Sequence, residues 1–119
     1  MKYLNWNVSH LKNSKLKLGK CGELLIQEVF LMYDFQVYTT LVDDNCVDLI
    51  VTKNTSANYY KIQVKTVNLL DQNSTYIYLP KHRCQLGHDF YVALVVFSNN
   101  SLPELFLIPS TVWSRSTGE

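Results

Sequence analysis

Two short stretches decide the fold: Val47-Asp48-Leu49-Ile50-Val51 and Lys61-Ile62-Gln63-Val64-Lys65-Thr66. Both are rich in β-branched residues, which is typical of strands, and the polar stretch 53–58 between them is typical of a turn. If they form an antiparallel hairpin about that turn, residues whose numbers sum to 111 are paired, and Asp48 lies opposite Gln63. Opposed residues share one face of a sheet, with Cβ atoms roughly 4.5–5.5 Å apart.

The polar face of this hairpin has the chemistry of a site. Side chains alternate along a strand, so Lys61, Gln63 and Lys65 point one way while Ile62 and Val64 point into a core. A carboxylate, a carboxamide oxygen and an ammonium then meet at one place, as a divalent cation and a phosphodiester require. The alternative is a polar face that simply meets water.

An aspartate inside an apolar run favours the site, because aspartate is depleted from strand interiors unless it has a partner. Upstream, apolar residues at 18, 21, 25, 29 and 32 predict a helix over 19–33 that packs on one side. Glu23 lies in the first turns of this helix, where the helix dipole favours a carboxylate. Glu23 is therefore either a member of the site or a solvated N-terminal acid.

The order of these elements resembles the PD-(D/E)XK nuclease superfamily. Gly-x-x-Gly-Glu at 19–23 precedes a short strand at 35–38, then the aspartate strand at 47–51 and the Gln-x-Lys strand at 60–66. The Gln-x-Lys form is similar to the cyanobacterial group I intron homing endonucleases and to small uncharacterised PD-(D/E)XK-like proteins. The resemblance extends from Gly19 to Trp113. It implies an α/β fold with a restriction-endonuclease-like core, in which one N-terminal helix packs on a mixed β-sheet of about five or six strands.

The resemblance also implies roles for individual residues. Asp48 is expected to be the central metal ligand, Gln63 to replace the usual acidic ligand, and Lys65 to be the catalytic lysine. Glu23 is expected to complete the metal site, with the backbone carbonyl of Val64 as a further ligand. The implied cofactor is Mg²⁺, with Mn²⁺ as a substitute, and the implied substrate is DNA. The proline that usually precedes the aspartate is absent, and because Gln63 carries no charge, Glu23 has to supply the second carboxylate.

The remaining sequence predicts more strands and one domain. Strands are predicted at 75–79, 91–97 and 104–109, and the apolar run 91–97 predicts a strand buried on both faces. With 119 residues and 47% hydrophobic content, the chain is expected to form a single domain over 1–113. The polar end at 114–119 is expected to be a disordered tail.

Charge and aromatic residues leave the partner open. A net charge of +1 does not itself indicate nucleic-acid binding. Basic residues either contact phosphates or are solvated, and tyrosines either stack on bases or cover the sheet. The basic residues are Lys12, Lys15, Lys17, Lys20, Lys81, His82 and Arg83, and the tyrosines are Tyr59, Tyr60, Tyr76 and Tyr78.

The cysteines and the hydropathy predict a cytoplasmic protein. Cys21, Cys46 and Cys84 are odd in number and lack Cys-x-x-Cys spacing, so reduced thiols are expected. The alternatives are a zinc site that also uses histidines, and a Cys/His hydrolase. No apolar run approaches the ~20 residues of a membrane helix. The histidines that such a zinc site would use are His10, His82 and His88.

Three functions remain open from the sequence. The first is a metal-dependent DNA endonuclease. The second is a catalytically inactive nuclease-fold module that binds DNA or protein. The third is a structural subunit that associates through an open sheet, because an uncovered sheet face exposes apolar surface. A homo-dimer or higher oligomer is expected.

Overall fold

The computed structural model describes residues 6–42, 46–53, 57–70, 79 and 84–113. Within these residues, one α-helix packs on a mixed five-stranded sheet, which confirms the predicted α/β fold. The predicted strand residues 75–78, the basic residues 81–83 and the predicted tail 114–119 lie outside the described residues. The elements are α1 (Lys15–Met32), β1 (Phe35–Thr39), β2 (Leu49–Lys53), β3 (Tyr60–Asn68), β4 (Phe90–Phe97) and β5 (Glu104–Pro109), with 3-10 helices at Ser9–Asn13 and Ser110–Trp113.

The strands lie side by side in chain order, β1-β2-β3-β4-β5. Strands β3 and β4 are parallel, and the other three neighbouring pairs are antiparallel. Leu49 pairs with Ile62 and Val51 with Tyr60, so the predicted hairpin register, with numbers summing to 111, is confirmed over the paired residues. Val92 is buried on one face of β4 and Val95 on the other, as predicted for this strand.

Helix α1 begins at Lys15, earlier than the predicted Gly19, because Ser14 caps it: the Ser14 hydroxyl oxygen accepts a hydrogen bond from the Lys17 N–H at 3.3 Å. The buried positions are Leu18, Gly22 and Ile26. The predicted inward stripe was wrong at positions 21 and 32, which are exposed. In the part of the chain that the structure describes, no helix is long and apolar enough to cross a membrane.

The helix touches the sheet closely at Gly22. A Cβ atom at this position would overlap Thr66 Oγ1 and would lie 3.1 Å from both Thr66 Cβ and Thr66 Cγ2. Gly22 therefore lets the backbone of α1 approach the C-terminal half of β3. One turn earlier, Gly19 has open space where its Cβ would be.

Apolar residues cover both faces of the sheet. The α1 face carries the larger cluster, whose buried members are Val8, Leu18, Ile26, Leu49, Val51, Ile62, Ala93, Val95 and Phe97. The opposite face carries a smaller cluster of Leu79, Cys84, Phe90 and Val92. Asp48 and Gln63 lie where the pairing of β2 with β3 ends. Both apolar clusters pack against the sheet that contains these strands.

A disulfide joins Cys46 to Cys84, with their Cα atoms 5.5 Å apart. The prediction of reduced thiols was therefore wrong for these two residues, and their pairing removes them as zinc ligands. Cys21 is free and exposed. The two bonded cysteines are 38 residues apart in sequence, and no local spacing motif marks such a pair.

Candidate active site

Asp48 lies immediately before β2 and is held on several sides. Its backbone N–H donates to the Ile62 carbonyl at 2.8 Å, and its backbone carbonyl accepts from the Thr40 N–H at 3.4 Å. Its carboxylate oxygen Oδ2 accepts from the Val64 N–H at 2.8 Å. Since Val64 stands between Gln63 and Lys65, the carboxylate is placed directly beside the Gln-x-Lys segment.

The backbone geometry at Asp48 differs from the predicted direct pairing with Gln63. Leu49 is already paired with Ile62, yet the Asp48 N–H also bonds to Ile62, so two residues face one. This is the pattern of a β-bulge, which re-aims a side chain and ends regular pairing. The carboxylate then takes the place of a backbone acceptor for Val64. Asp48 therefore reaches the segment through its side chain, and direct opposition to Gln63 was the wrong detail of the hairpin prediction.

Gln63 carries an oxygen without a hydrogen bond. Its side-chain Oε1 is buried and makes no hydrogen bond with any residue that the structure describes. Leaving a buried polar atom unsatisfied costs about 1–3 kcal/mol, so such an atom in a folded protein calls for an explanation. An amide oxygen is a ligand that hard divalent cations accept.

Lys65 and Lys61 lie on the same face of β3, two positions on either side of Gln63. They pair in register with Leu94 and Phe90 of β4. The Lys61 ammonium forms an ion pair with Asp89 at 3.6 Å. Among the described residues, Lys65 makes no ion pair. Of these two lysines, Lys65 is therefore the one whose ammonium remains available to a phosphate.

Glu23 is placed differently from the other candidates. Gln63 and Lys65 are on the face of β3 opposite α1, because Ile62 and Val64 take the α1 face. Glu23 belongs to α1, follows Gly22 at the close approach to Thr66, and forms an ion pair with Lys20 at 3.6 Å. That Glu23 completes a metal site stays a prediction.

The candidate donor atoms on Asp48 and on the segment 63–64 to which it is bonded are oxygens of different kinds. They comprise the Asp48 carboxylate, the buried Gln63 Oε1 and the carbonyl of Val64. No group of three or more His, Cys, Asp and Glu residues that could hold a metal occurs in the described ranges. Such a group would not include the amide oxygen of Gln63 or the backbone oxygen of Val64. Because Mg²⁺ accepts carboxylate, amide and carbonyl oxygens, these three donors fit such a cation.

The other basic and aromatic residues considered from the sequence differ in exposure and packing. Lys15, Lys17 and Lys20 are exposed along the start of α1. Tyr60 packs edge to face on Tyr91 with ring centroids 6.0 Å apart, so Tyr60 covers the sheet. Tyr59 is exposed. Tyr76 and Tyr78 lie outside the described residues.

No family model, no curated protein and no solved structure matches this chain. The site is therefore interpreted from its own geometry. Two of its features were missed from the sequence: the Val64 N–H as anchor of Asp48, and Cys46 as a covalent tether two residues before Asp48. The aspartate within an apolar run was a signal for the first feature, and no sequence signal marked the second.

Proposed function

We propose that this chain is a metal-dependent DNA endonuclease of the PD-(D/E)XK kind, which hydrolyses phosphodiester bonds. The observation that carries the proposal is the anchoring of the Asp48 carboxylate on the N–H of Val64, the residue that follows Gln63, whose side-chain oxygen is buried and unbonded. The element order, a helix followed by the hairpin with aspartate and Gln-x-Lys, supports the same proposal. The proposal includes a restriction-endonuclease-like core for this fold.

Asp48 and Gln63 are the side chains that would hold Mg²⁺, with the carbonyl of Val64 and with Glu23 as the proposed second carboxylate. When bound, the cation acts as a Lewis acid and lowers the pKa of water. Asp48 is already oriented by its hydrogen bond, so little ordering of this carboxylate is needed when a cation binds. The unbonded oxygen of Gln63 would gain a partner at that moment.

Lys65 has the role of stabilising charge. Hydrolysis forms a bond between a water oxygen and phosphorus and breaks the bond from phosphorus to the leaving oxygen, while the water gives up one proton and the leaving oxygen takes one up from solvent. Negative charge increases on the phosphate oxygens in the transition state, and an ammonium placed there lowers the barrier. Lys65 suits this role better than Lys61, because Lys61 is paired with Asp89.

The test is cleavage of supercoiled plasmid with Mg²⁺, with Mn²⁺ and with EDTA. Lys65→Ala is expected to lower the rate at least about 100-fold, as loss of one transition-state charge contact does. Lys61→Ala is the matched control, because it removes the same side chain from the same face of the same strand. The control is expected to cut at a rate close to wild type.

Asp48→Asn is the second variant to examine. Asparagine keeps an oxygen that can accept a hydrogen bond from the Val64 N–H. Asp48→Ala would leave this N–H without a partner, so a loss of cleavage could then come from a loss of stability. The catalytic role of Lys65 would be contradicted if Lys65→Ala cleaved plasmid at the wild-type rate. It would also be contradicted if Lys65→Ala and Lys61→Ala lowered the cleavage rate equally. Circular dichroism of each variant checks the fold.

An inactive module that binds DNA or protein is the second candidate function. The ion pair of Glu23 with Lys20 favours it, because a carboxylate engaged elsewhere leaves one acidic ligand beside a neutral amide. Under this alternative, calorimetry detects no Mg²⁺ binding, and DNA binding survives in EDTA. DNA as partner and a homo-oligomeric state belong to the proposal.

The cytoplasmic location stays a prediction. Disulfides are typical of oxidising compartments, so the bond between Cys46 and Cys84 argues against it. Thiol titration of the protein as isolated under air and under reductant would show whether the bond resists cellular reducing conditions.

A further inference from the structure

Strand β5 forms one end of the sheet. It pairs with β4 on one side, and no strand of the described residues pairs with it on the other. Pro109 aligns with Tyr91, and because proline has no N–H these two residues are not a hydrogen-bonded pair. Hydrogen-bonded pairs alternate along an antiparallel ladder. Leu107 and Leu105 therefore direct their N–H and C=O groups away from β4.

The side chains along this edge are apolar and partly exposed. Leu105 and Leu107 lie on the α1 face, and Phe106 lies on the opposite face, each between about one third and one half exposed. Proteins commonly protect an edge strand with lysine, an internal proline or an inward-pointing charge. Glu104 is the one charged residue of β5 and stands at its first position.

We propose that β5 is a self-association surface and that its occupant is β5 of a second copy of this chain. The two strands pair antiparallel about a two-fold axis normal to the sheet, which joins two five-stranded sheets into one. This axis keeps the two α1 helices on the same side. Residues that face each other must then have numbers whose sum is even, because only these share a face.

The register centred on Phe106 satisfies these conditions. Phe106 faces Phe106 of the partner subunit, and Leu105 faces Leu107 of the partner subunit. The outward N–H and C=O groups of Leu105 and Leu107 then form the hydrogen-bonded pairs. Glu104 faces Ile108 of the partner subunit, so the one charge on the strand does not oppose its own copy. A second copy therefore satisfies both the backbone and the side chains of this edge.

The apolar surface continues from the edge onto the α1 face. A groove of about 280 Å³ lies between α1 and β5 and is lined by Leu105 and Leu107 together with Phe30, Tyr33 and Phe35. Pairing would cover its outer rim. A single strand edge buries less than the roughly 800 Å² per partner of standard interfaces, so a dissociation constant on the order of micromolar is expected.

Sedimentation equilibrium over a concentration range up to about 100 times that constant tests the proposal. Leu107→Lys introduces a charge at the interface and is expected to weaken the dimer at least about 30-fold. The matched control is Leu24→Lys on α1, because Leu24 is 56% exposed and Leu107 is 52% exposed. The control changes the net charge equally and is expected to leave the dimer unchanged.

Cross-linking tests the register. In a Cys21→Ser background, which removes the free thiol, Phe106→Cys places two thiols opposite each other across the axis and is expected to give a covalent dimer on mild oxidation. Glu104→Cys places the two thiols four residues apart along the strands, roughly 13 Å, and is expected to give none. A monomeric wild type, a dimer that resists Leu107→Lys, or cross-linking through Glu104→Cys in preference to Phe106→Cys would each overturn the proposal.

Discussion

Replacing Gly22 by alanine is expected to destabilise the protein, although alanine favours helices. A new Cβ would overlap Thr66 Oγ1 and would lie 3.1 Å from both Thr66 Cβ and Cγ2, so both branches of the Thr66 side chain stand in its way. Overpacking of this kind costs about 3 kcal/mol at its upper range, and the better helix propensity of alanine returns about 1 kcal/mol. The free energy of unfolding should fall by about 2 kcal/mol.

Gly19→Ala is the control, because Gly19 lies on the same helix and its Cβ position is open. Here the helix propensity acts alone and should raise the free energy of unfolding by about 0.5–1 kcal/mol. The two alanine variants should therefore differ by about 3 kcal/mol, or about 12 °C in melting temperature for a chain of this size. Urea titration followed by far-ultraviolet circular dichroism measures both.

A Thr66→Ala partner variant identifies the cause. Removing Oγ1 and Cγ2 of Thr66 should relieve the overpacking, so that Gly22→Ala then stabilises the protein by about 1 kcal/mol through helix propensity. The coupling energy in a double-mutant cycle is then about 3 kcal/mol. If Gly22→Ala is as stable as Gly19→Ala, the close approach of α1 to β3 is refuted. If the loss persists with Thr66→Ala, Thr66 is not its source.

Other perturbations test the site and its supports. Replacing Cys46 and Cys84 together by alanine should lower the free energy of unfolding by about 4 kcal/mol, because the disulfide closes a loop of 38 residues. If the urea midpoint of the wild type were the same with and without reductant, this prediction would be wrong. Gln63→Met removes a buried oxygen that has no hydrogen bond, so the free energy of unfolding in EDTA should stay unchanged or rise by about 1–3 kcal/mol, while plasmid cleavage is lost. A clear loss of stability in EDTA would show that the Gln63 amide already has a hydrogen-bond partner. Asn68→Ala should lower the unfolding free energy by about 2–4 kcal/mol, because fully buried Asn68 donates to the Val8 carbonyl and accepts from the Leu70 N–H; a calorimetric melting temperature equal to wild type would rule that role out.

The hairpin could be predicted because its determinants are local. A short polar connection between two apolar strands leaves few registers, and alternation along β3 decides which residues face the core. The same local rules fail at Asp48, where a bulge adds a residue and a side chain replaces the backbone as acceptor. A bulge depends on what a side chain gains from distant backbone, and hydropathy does not report that.

The helix and the cysteines show two other limits. Gly22 faces the sheet because it has no side chain, whereas a hydropathy pattern assigns the inward face to apolar residues such as Cys21 and Met32. The pairing of Cys46 with Cys84 depends on where β4 begins relative to the loop before β2. Such a pairing follows from the tertiary fold and cannot be derived from sequence spacing.

Asp48 serves the sheet as well as the proposed chemistry, because its carboxylate is the acceptor for a backbone donor of β3. Selection for folding alone would therefore preserve an acceptor at this position. Under the proposed function, a descendant of this chain that had lost catalysis would keep aspartate or asparagine at 48, whereas Lys65 could be replaced, since no described ion pair depends on Lys65. If the proposal is right, Lys65 rather than Asp48 is the position at which diverging copies would show whether catalysis is under selection.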